Sequence, residues 1–242
     1  MKPDFSLILP CYNESSHIRQ SLPKIIATIH ASFSSHEIIL IDDKSTDDTR
    51  RILKQLVKNY KHVHVYYHRK NRGRGATVQE GIQKARSDIV AFIDIDLEVE
   101  PDYLVKMAHL VKSGVDVVVA RRYYPLQLYS LQDLIRTIAS KIYASIIRIF
   151  LDLPIHDTEA GYKCFKRKRI MRVLRDIKDT HWFWDTEIIA RSLRHRLTVQ
   201  EVPVLFLRKL DKKSTVKLAS DSVAYIHALY TYKKSLNNMD RR

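Results

Sequence analysis

From the amino terminus to about Arg121, short β-branched runs alternate with longer stretches of helical periodicity, and this rhythm restricts the chain more than any other feature. The runs are FSLILP, EIILID, HVHVYYH, IVAFID and VDVVVA. Helical spacing separates them, near Ser16–Ser32, Thr46–Tyr60, Ala76–Ala85 and Pro101–Lys112. Strands that alternate with helices build a mainly parallel sheet covered by helices on both faces, so the predicted class is α/β and Rossmann-like. With 242 residues, 45% of them hydrophobic, the chain can bury one substantial core.

After Arg121 the pattern changes. An aromatic loop (YYPLQLY) leads into a long basic amphipathic helix ending near Leu151. A polar loop (DTEAGYKCF), two helical segments and a strand near Val199–Phe206 follow. The stretch Val216–Leu236 reads as a C-terminal amphipathic helix with Val216, Val223, Ile226, Leu229 and Tyr230 on one side. The expected organisation is one domain over residues 1–215, then a helix and tail over residues 216–242.

Ser45 and Asp48 have capping-box spacing, which predicts a helix starting at Ser45 and puts Asp42 and Asp43 at the carboxyl end of a strand. Ligands of open α/β sheets bind beyond those ends, where Asn13, Glu14, Asp94 and Asp96 also fall. In Asp94-Ile95-Asp96-Leu97-Glu98, strand alternation places the three carboxylates on one side. Desolvating them unpaired would cost several kcal/mol each, and a hard cation such as Mg²⁺ or Mn²⁺ would relieve this. A solvated acidic loop is the alternative reading.

Asp42 and Asp43 suit hydrogen bonds to a ribose or base edge, or else an exposed helix start. Asn71-Arg72-Gly73-Arg74-Gly75 is a basic glycine loop opening a helix, a setting for a diphosphate or simply a turn. Its spacing matches neither Walker A nor the dinucleotide fingerprint.

The 42 Lys and Arg against 27 Asp and Glu leave +15, which favours anionic partners: lipid surface, phosphorylated substrate or nucleic acid. No nucleic-acid motif appears, although a basic nucleic-acid-binding domain is a competing class. Cys11 and Cys164 have no paired spacing for zinc or a disulfide, and the first residues run straight into a strand, so a cytosolic chain is expected. The apolar stretch Leu131–Leu151 is interrupted by Asp133, Arg136, Lys141 and Arg148 and does not reach the roughly 20 apolar residues of a spanning helix. It can lie in a membrane interface or pack on the core.

Taken in order, PCYNES (10–15), DDKSTDDT (42–49), NRGRGATVQEG (71–81), DIDLE (94–98) and ARRY (120–123) resemble the family-two glycosyltransferases of GT-A fold. The likeness is strongest to the dolichyl-phosphate mannosyltransferase and polyprenyl-phosphate glycosyltransferase branch. It implies that Pro10, Tyr12, Glu14 and Asp42, with Asp43, Gly75, Asp94 and Arg208, serve the nucleotide-sugar. It implies metal ligation by Asp94, Asp96 and Glu98, and acceptor-phosphate binding by Arg122, Arg136 and Ser140, with Asp96, Arg122 and Arg136 central to catalysis. Trp182, Trp184, Asp185 and Glu187 fall where relatives keep residues beside the donor sugar, and Lys213, Ser214 and Lys217 in a late basic segment.

Three departures stand out: Glu98 where the family often has Gln, Gly73-Arg74-Gly75-Ala76 for its G-L-G-x-A, and Glu159-Ala160-Gly161-Tyr162-Lys163 for its S-G-F-R. The implied activity is inverting transfer of mannose or glucose from GDP-mannose or UDP-glucose to a polyprenyl phosphate, at the cytoplasmic membrane face. The runner-up is transfer to a sugar hydroxyl, with Asp185 or Asp157 as base.

Overall fold

The computed structural model describes residues 2–124, 142–207 and 218–239. Arg136, Ser140, Arg208, Lys213, Ser214 and Lys217, and most of the Leu131–Leu151 helix, lie outside these residues.

The expected alternation is present. The first half runs β1 (Phe5–Cys11), α1 (Ile18–Ser32), β2 (His36–Asp42), α2 (Thr49–Leu56), β3 (Val63–Tyr67), α3 (Arg74–Lys84), β4 (Ile89–Ile93), α4 (Tyr103–Lys112) and β5 (Val117–Tyr123). A helical stretch over 142–151 (α5) is followed by β6 (Tyr162–Lys166), α6 (Arg167–Val173), α7 (Trp184–Arg194), β7 (Val199–Leu205) and α8 (Leu218–Met239).

The seven strands form one sheet in the order β3-β2-β1-β4-β6-β5-β7. Every pairing is parallel except those of β6, which is antiparallel to both β4 and β5. All of β6 but its last residue, Lys166, lies within the segment read from sequence as a polar loop, and this is a correction. Its Tyr162, Lys163, Cys164 and Phe165 are all buried, so the strand carries no polar-apolar alternation.

Period two along the central strands divides the core between the two faces of the sheet. Leu7 and Leu9 pack with Ile38 and Leu40, while Ile8 packs with Ile39, Ile41, Phe92 and Trp184. A third cluster joins α5 and α8 to α7 through Ile147, Leu151, Phe183, Ala190, Tyr225, Leu229, Tyr232 and Leu236. Leu229 therefore faces inward, whereas Val223, Ile226 and Tyr230 are exposed, which corrects the single apolar side expected for that helix.

Helix α2 begins at Thr49, not at Ser45; the side chain of its N-cap residue Asp48 makes no capping bond, and Asp47 Oδ1 accepts the Thr49 N–H at 2.9 Å. The Ser45 hydroxyl instead accepts the Asn13 backbone N–H at 2.9 Å, a tertiary bond that displaces the local cap. Among the described residues no helix is long and apolar enough to cross a membrane.

Candidate active site

Parallel pairing of β1, β2, β3 and β4 sends their carboxyl ends to one edge of the sheet. The antiparallel pairing of Ile93 with Tyr162 brings the amino end of β6, with residues 157–161, to the same edge. The parallel β5–β7 pair adds Arg122 near its carboxyl end. The loops after β1, β2 and β4 each contain a residue with left-handed backbone, Asn13 (φ 58°), Lys44 (φ 65°) and Leu97 (φ 58°). Such strain persists where the surroundings over-determine it, commonly at functional sites.

The first two loops are tied together. Asn13 Oδ1 accepts the Thr46 N–H at 2.8 Å, Thr49 Oγ1 accepts the Glu14 N–H at 2.7 Å, and Asp47 Oδ2 accepts that of Ser15 at 3.1 Å. Pro10 and Glu14 are half-buried and Tyr12 is exposed at the rim. Asp42 is fully buried and accepts from the Ser45 N–H and from Arg50 Nε, both at 3.3 Å.

Asp43 organises the basic loop. Its carboxylate accepts the Arg72 N–H at 2.8 Å and the Gly73 N–H at 2.9 Å, and lies 2.6 Å from His68 Nδ1. Gly73 precedes α3 at φ 92°, where a Cβ would also sit 2.4 Å from the Thr180 carbonyl oxygen, so glycine is required. Gly75 packs directly on Trp184 and so joins α3 to α7.

Arg74, the first residue of α3, bridges two carboxylates. Its Nε and Nη2 donate to Asp94 Oδ1 at 3.1 and 2.7 Å, and its Nη1 donates to Asp185 Oδ2. The buried Lys163 ammonium donates to Asp185 Oδ1 at 2.5 Å and to the Ala160 carbonyl at 2.6 Å. Burial pushes the Lys163 ammonium down and Asp185 offsets only part of that. Burial raises the Asp94 carboxyl, Arg74 opposes the shift, Asp96 adds to it, and the net displacement is upward.

Beside this group Arg122 is held by Asp157, with Nε at 2.8 Å and Nη2 at 2.9 Å in a bidentate pair, and the Arg122 N–H at 3.1 Å. Burial would raise the Asp157 carboxyl, but Arg122 prevails and holds it below the usual carboxylate range. Glu159 behaves oppositely: burial pushes it up to about 7 despite Arg122. A hydrogen bond joins it to Tyr225 of α8, whose hydroxyl also lies 2.6 Å from Thr186 Oγ1.

The acidic motif differs from its expected geometry. The strand ends at Ile93, and Asp94, Ile95 and Asp96 turn away from it before the left-handed Leu97. Strand alternation thus does not extend to Glu98, and among the described residues no three His, Cys, Asp or Glu side chains gather to hold a metal. Asp94 and Asp96 remain a suitable pair of hard oxygen donors, since such cations bind through one or two carboxylates plus substrate phosphates. The fit is to a cation shared with a diphosphate.

Trp184 is a core residue, edge-on to Phe92 at 5.8 Å, and Glu187 braces the loop before α7 through the Lys178 and Asp179 N–H groups. Trp182 and Asp185 do reach the Arg74 guanidinium. Sequence reasoning placed Arg74 only within a basic loop suited to a diphosphate, without its carboxylate partners, and gave Lys163 no role; their place in the departures from the family pattern was the available signal.

The sequence profile of glycosyl transferase family 2 matches residues 6–174, well over half of the chain. Glycosyltransferase AglD of Haloferax volcanii is 29% identical over 213 residues, 87% of this chain and 34% of AglD, so the chain spans about a third of that relative. The dolichyl-phosphate beta-glucosyltransferase of Saccharomyces cerevisiae is 25% identical, covering 95% of this chain and 77% of the yeast protein. The polyprenol monophosphomannose synthase of Mycolicibacterium smegmatis is 26% identical, covering 84% and 77% respectively. Among solved structures, glucosyl-3-phosphoglycerate synthase of Mycobacterium tuberculosis, in complex with Mn²⁺, UDP-glucose and phosphoglyceric acid, superimposes with TM-score 0.69 at 17% identity, over 96% of this chain and 80% of that one. That likeness concerns the fold, which is GT-A. With the profile match and the sheet-edge geometry in agreement, the chain belongs to glycosyl transferase family 2.

Proposed function

We propose that this chain is an inverting hexosyltransferase that moves mannose or glucose from GDP-mannose or UDP-glucose to a polyprenyl phosphate. One observation carries the choice of acceptor. Asp157 and Asp185, the candidate bases for a hydroxyl acceptor in the sequence, are each locked in ion pairs with Arg or Lys. A phosphate acceptor needs no such base, because its second pKa near 6 leaves it largely ionised at neutral pH. The yeast and mycobacterial relatives, by their names, act on such lipids.

In this reading the loops carrying Pro10, Tyr12, Glu14, Asp42 and Asp43 form the nucleotide side of the site. Asp94 and Asp96, with Glu98 beyond the turn, would hold Mg²⁺ or Mn²⁺, which supplies charge stabilisation to the departing nucleoside diphosphate. Arg122, pre-oriented by Asp157, presents its edge to the acceptor phosphate, and Arg136 and Ser140 are its expected partners from the sequence resemblance. Arg208 is the expected late diphosphate contact. Rate enhancement then rests on alignment and electrostatics.

Peripheral attachment to the cytoplasmic face of a membrane completes the proposal. Exposed Ile142, Ile146 and Ile149 line α5, and exposed Val223, Ile226 and Tyr230 line α8. The two helices meet where Lys233 Nζ lies 5.7 Å from the Phe150 ring centre. Apolar stripes flanked by basic residues suit an interface where a lipid acceptor is met.

A second reading, transfer to a sugar hydroxyl, has Glu159 in its favour, since a carboxyl poised near 7 can accept a proton. A panel of GDP- and UDP-sugars with Mn²⁺ or Mg²⁺, offered a short-chain polyprenyl phosphate and followed by product mass, separates the two. Glycosylated lipid phosphate that disappears in excess chelator is expected. Product on soluble glycans alone would replace the lipid reading.

A further inference from the structure

Arg74 occupies one oxygen of the Asp94 carboxylate. Both Nε and Nη2 converge on Asp94 Oδ1. The other oxygen, Oδ2, presses on Gly161, where a Cβ would lie only 1.8 Å away. The guanidinium is itself confined: its side chain is 14% exposed, and its centre lies 5.4 Å from the Phe92 ring and 5.8 Å from that of Trp182. A guanidinium and a divalent cation on one carboxylate oxygen would repel each other at short range in a poorly solvated place.

We propose that Arg74 is an internal counter-ion that competes with a cation for Asp94, and that a nucleoside diphosphate releases the carboxylate by offering the guanidinium another anion. This rests on the metal reading given above. Three features make the exchange feasible. A guanidinium fork matches phosphate oxygens as well as it matches a carboxylate. Arg74 opens the eleven-residue helix α3, whose amino-terminal dipole favours an anion nearby. Departure of Arg74 also leaves Asp185 paired, because Lys163 holds its other oxygen at 2.5 Å.

The consequence is linkage: nucleotide strengthens cation binding, and cation strengthens nucleotide binding by the same factor. Direct contact between cation and diphosphate adds to that coupling. The share due to Arg74 is isolated by removing its charge and measuring the cation without nucleotide.

The test is Mn²⁺ titration of the full chain followed by electron paramagnetic resonance, with and without UDP or GDP. Arg74→Leu and Arg74→Gln, each checked for folding by circular dichroism, are expected to bind Mn²⁺ about tenfold more tightly than wild type without nucleotide, as loss of a charge-assisted competitor implies. The nucleotide-dependent enhancement should shrink accordingly, and Asp94→Asn added to Arg74→Leu should erase the gain. Folded variants that bind Mn²⁺ no more tightly than wild type, or a gain that survives Asp94→Asn, would overturn the proposal. Mn²⁺ binding to no form even with nucleotide would overturn the metal reading and this proposal with it.

Discussion

Asp157 holds Arg122 at three points, receiving Nε at 2.8 Å, Nη2 at 2.9 Å and the backbone N–H at 3.1 Å. The pair is largely buried, so removing the carboxylate strands a charge. Asp157→Ala should therefore lower stability by about 3 kcal/mol in urea denaturation at neutral pH. The depressed Asp157 carboxyl adds stability that is present above the ordinary carboxylate range and lost as pH falls through its folded value. A collapsed kcat at unchanged stability would instead identify Asp157 as a base.

Gly161→Ala tests the crowding at Asp94. The added methyl would lie 1.8 Å from Asp94 Oδ2 and 2.6 Å from Arg74 Nη2, both ends of side chains that can move aside. The fold should survive, with a melting temperature near that of wild type. Transfer should fall about a hundredfold, since displacements of about 1 Å cost that much. Full activity would show that the observed Asp94 position is not the working one.

Glu159 gives a pH signature. Its carboxyl is raised from 4.5 to about 7, so between these values the folded chain holds a proton that the unfolded chain has released. Stability should consequently fall as pH rises through this window, by on the order of 2 kcal/mol from this group. In Glu159→Gln that part of the slope should vanish, as measured by denaturation at pH 5 and pH 8. An unchanged slope would place the pH dependence elsewhere.

The exposed stripes of α5 and α8 should bind lipid. Ile149 and Val223 are 75% and 69% exposed, so exchanging them costs the core little. The protein should sediment with anionic liposomes at low salt, and Ile149→Glu with Val223→Glu should shift it to the supernatant while nucleotide binding persists. Equal sedimentation of the double variant would remove these helices from the interface.

Local chemistry in the sequence determined the helix-strand alternation, the parallel core and the edge on which Pro10–Glu14, Asp42, Asp43 and Asp94 gather. Those features depend on side-chain periodicity and on the fact that parallel strands end together. Partner choice was decided by tertiary structure alone. Arg74 meets Asp94 across 20 residues and Asp185 across 111, while Arg122 meets Asp157 across 35. No short-range pattern distinguishes these carboxylates from those of Asp96 or Glu98. Strand β6 was hidden for the same reason, since Lys163 reads as polar until Asp185 neutralises it inside the core. The Ser45 cap failed because Asn13, 32 residues away, offered that hydroxyl a better partner. Periodicity reports which residues are buried, but the pairing of buried charges depends on which loops the closed sheet brings within hydrogen-bonding distance.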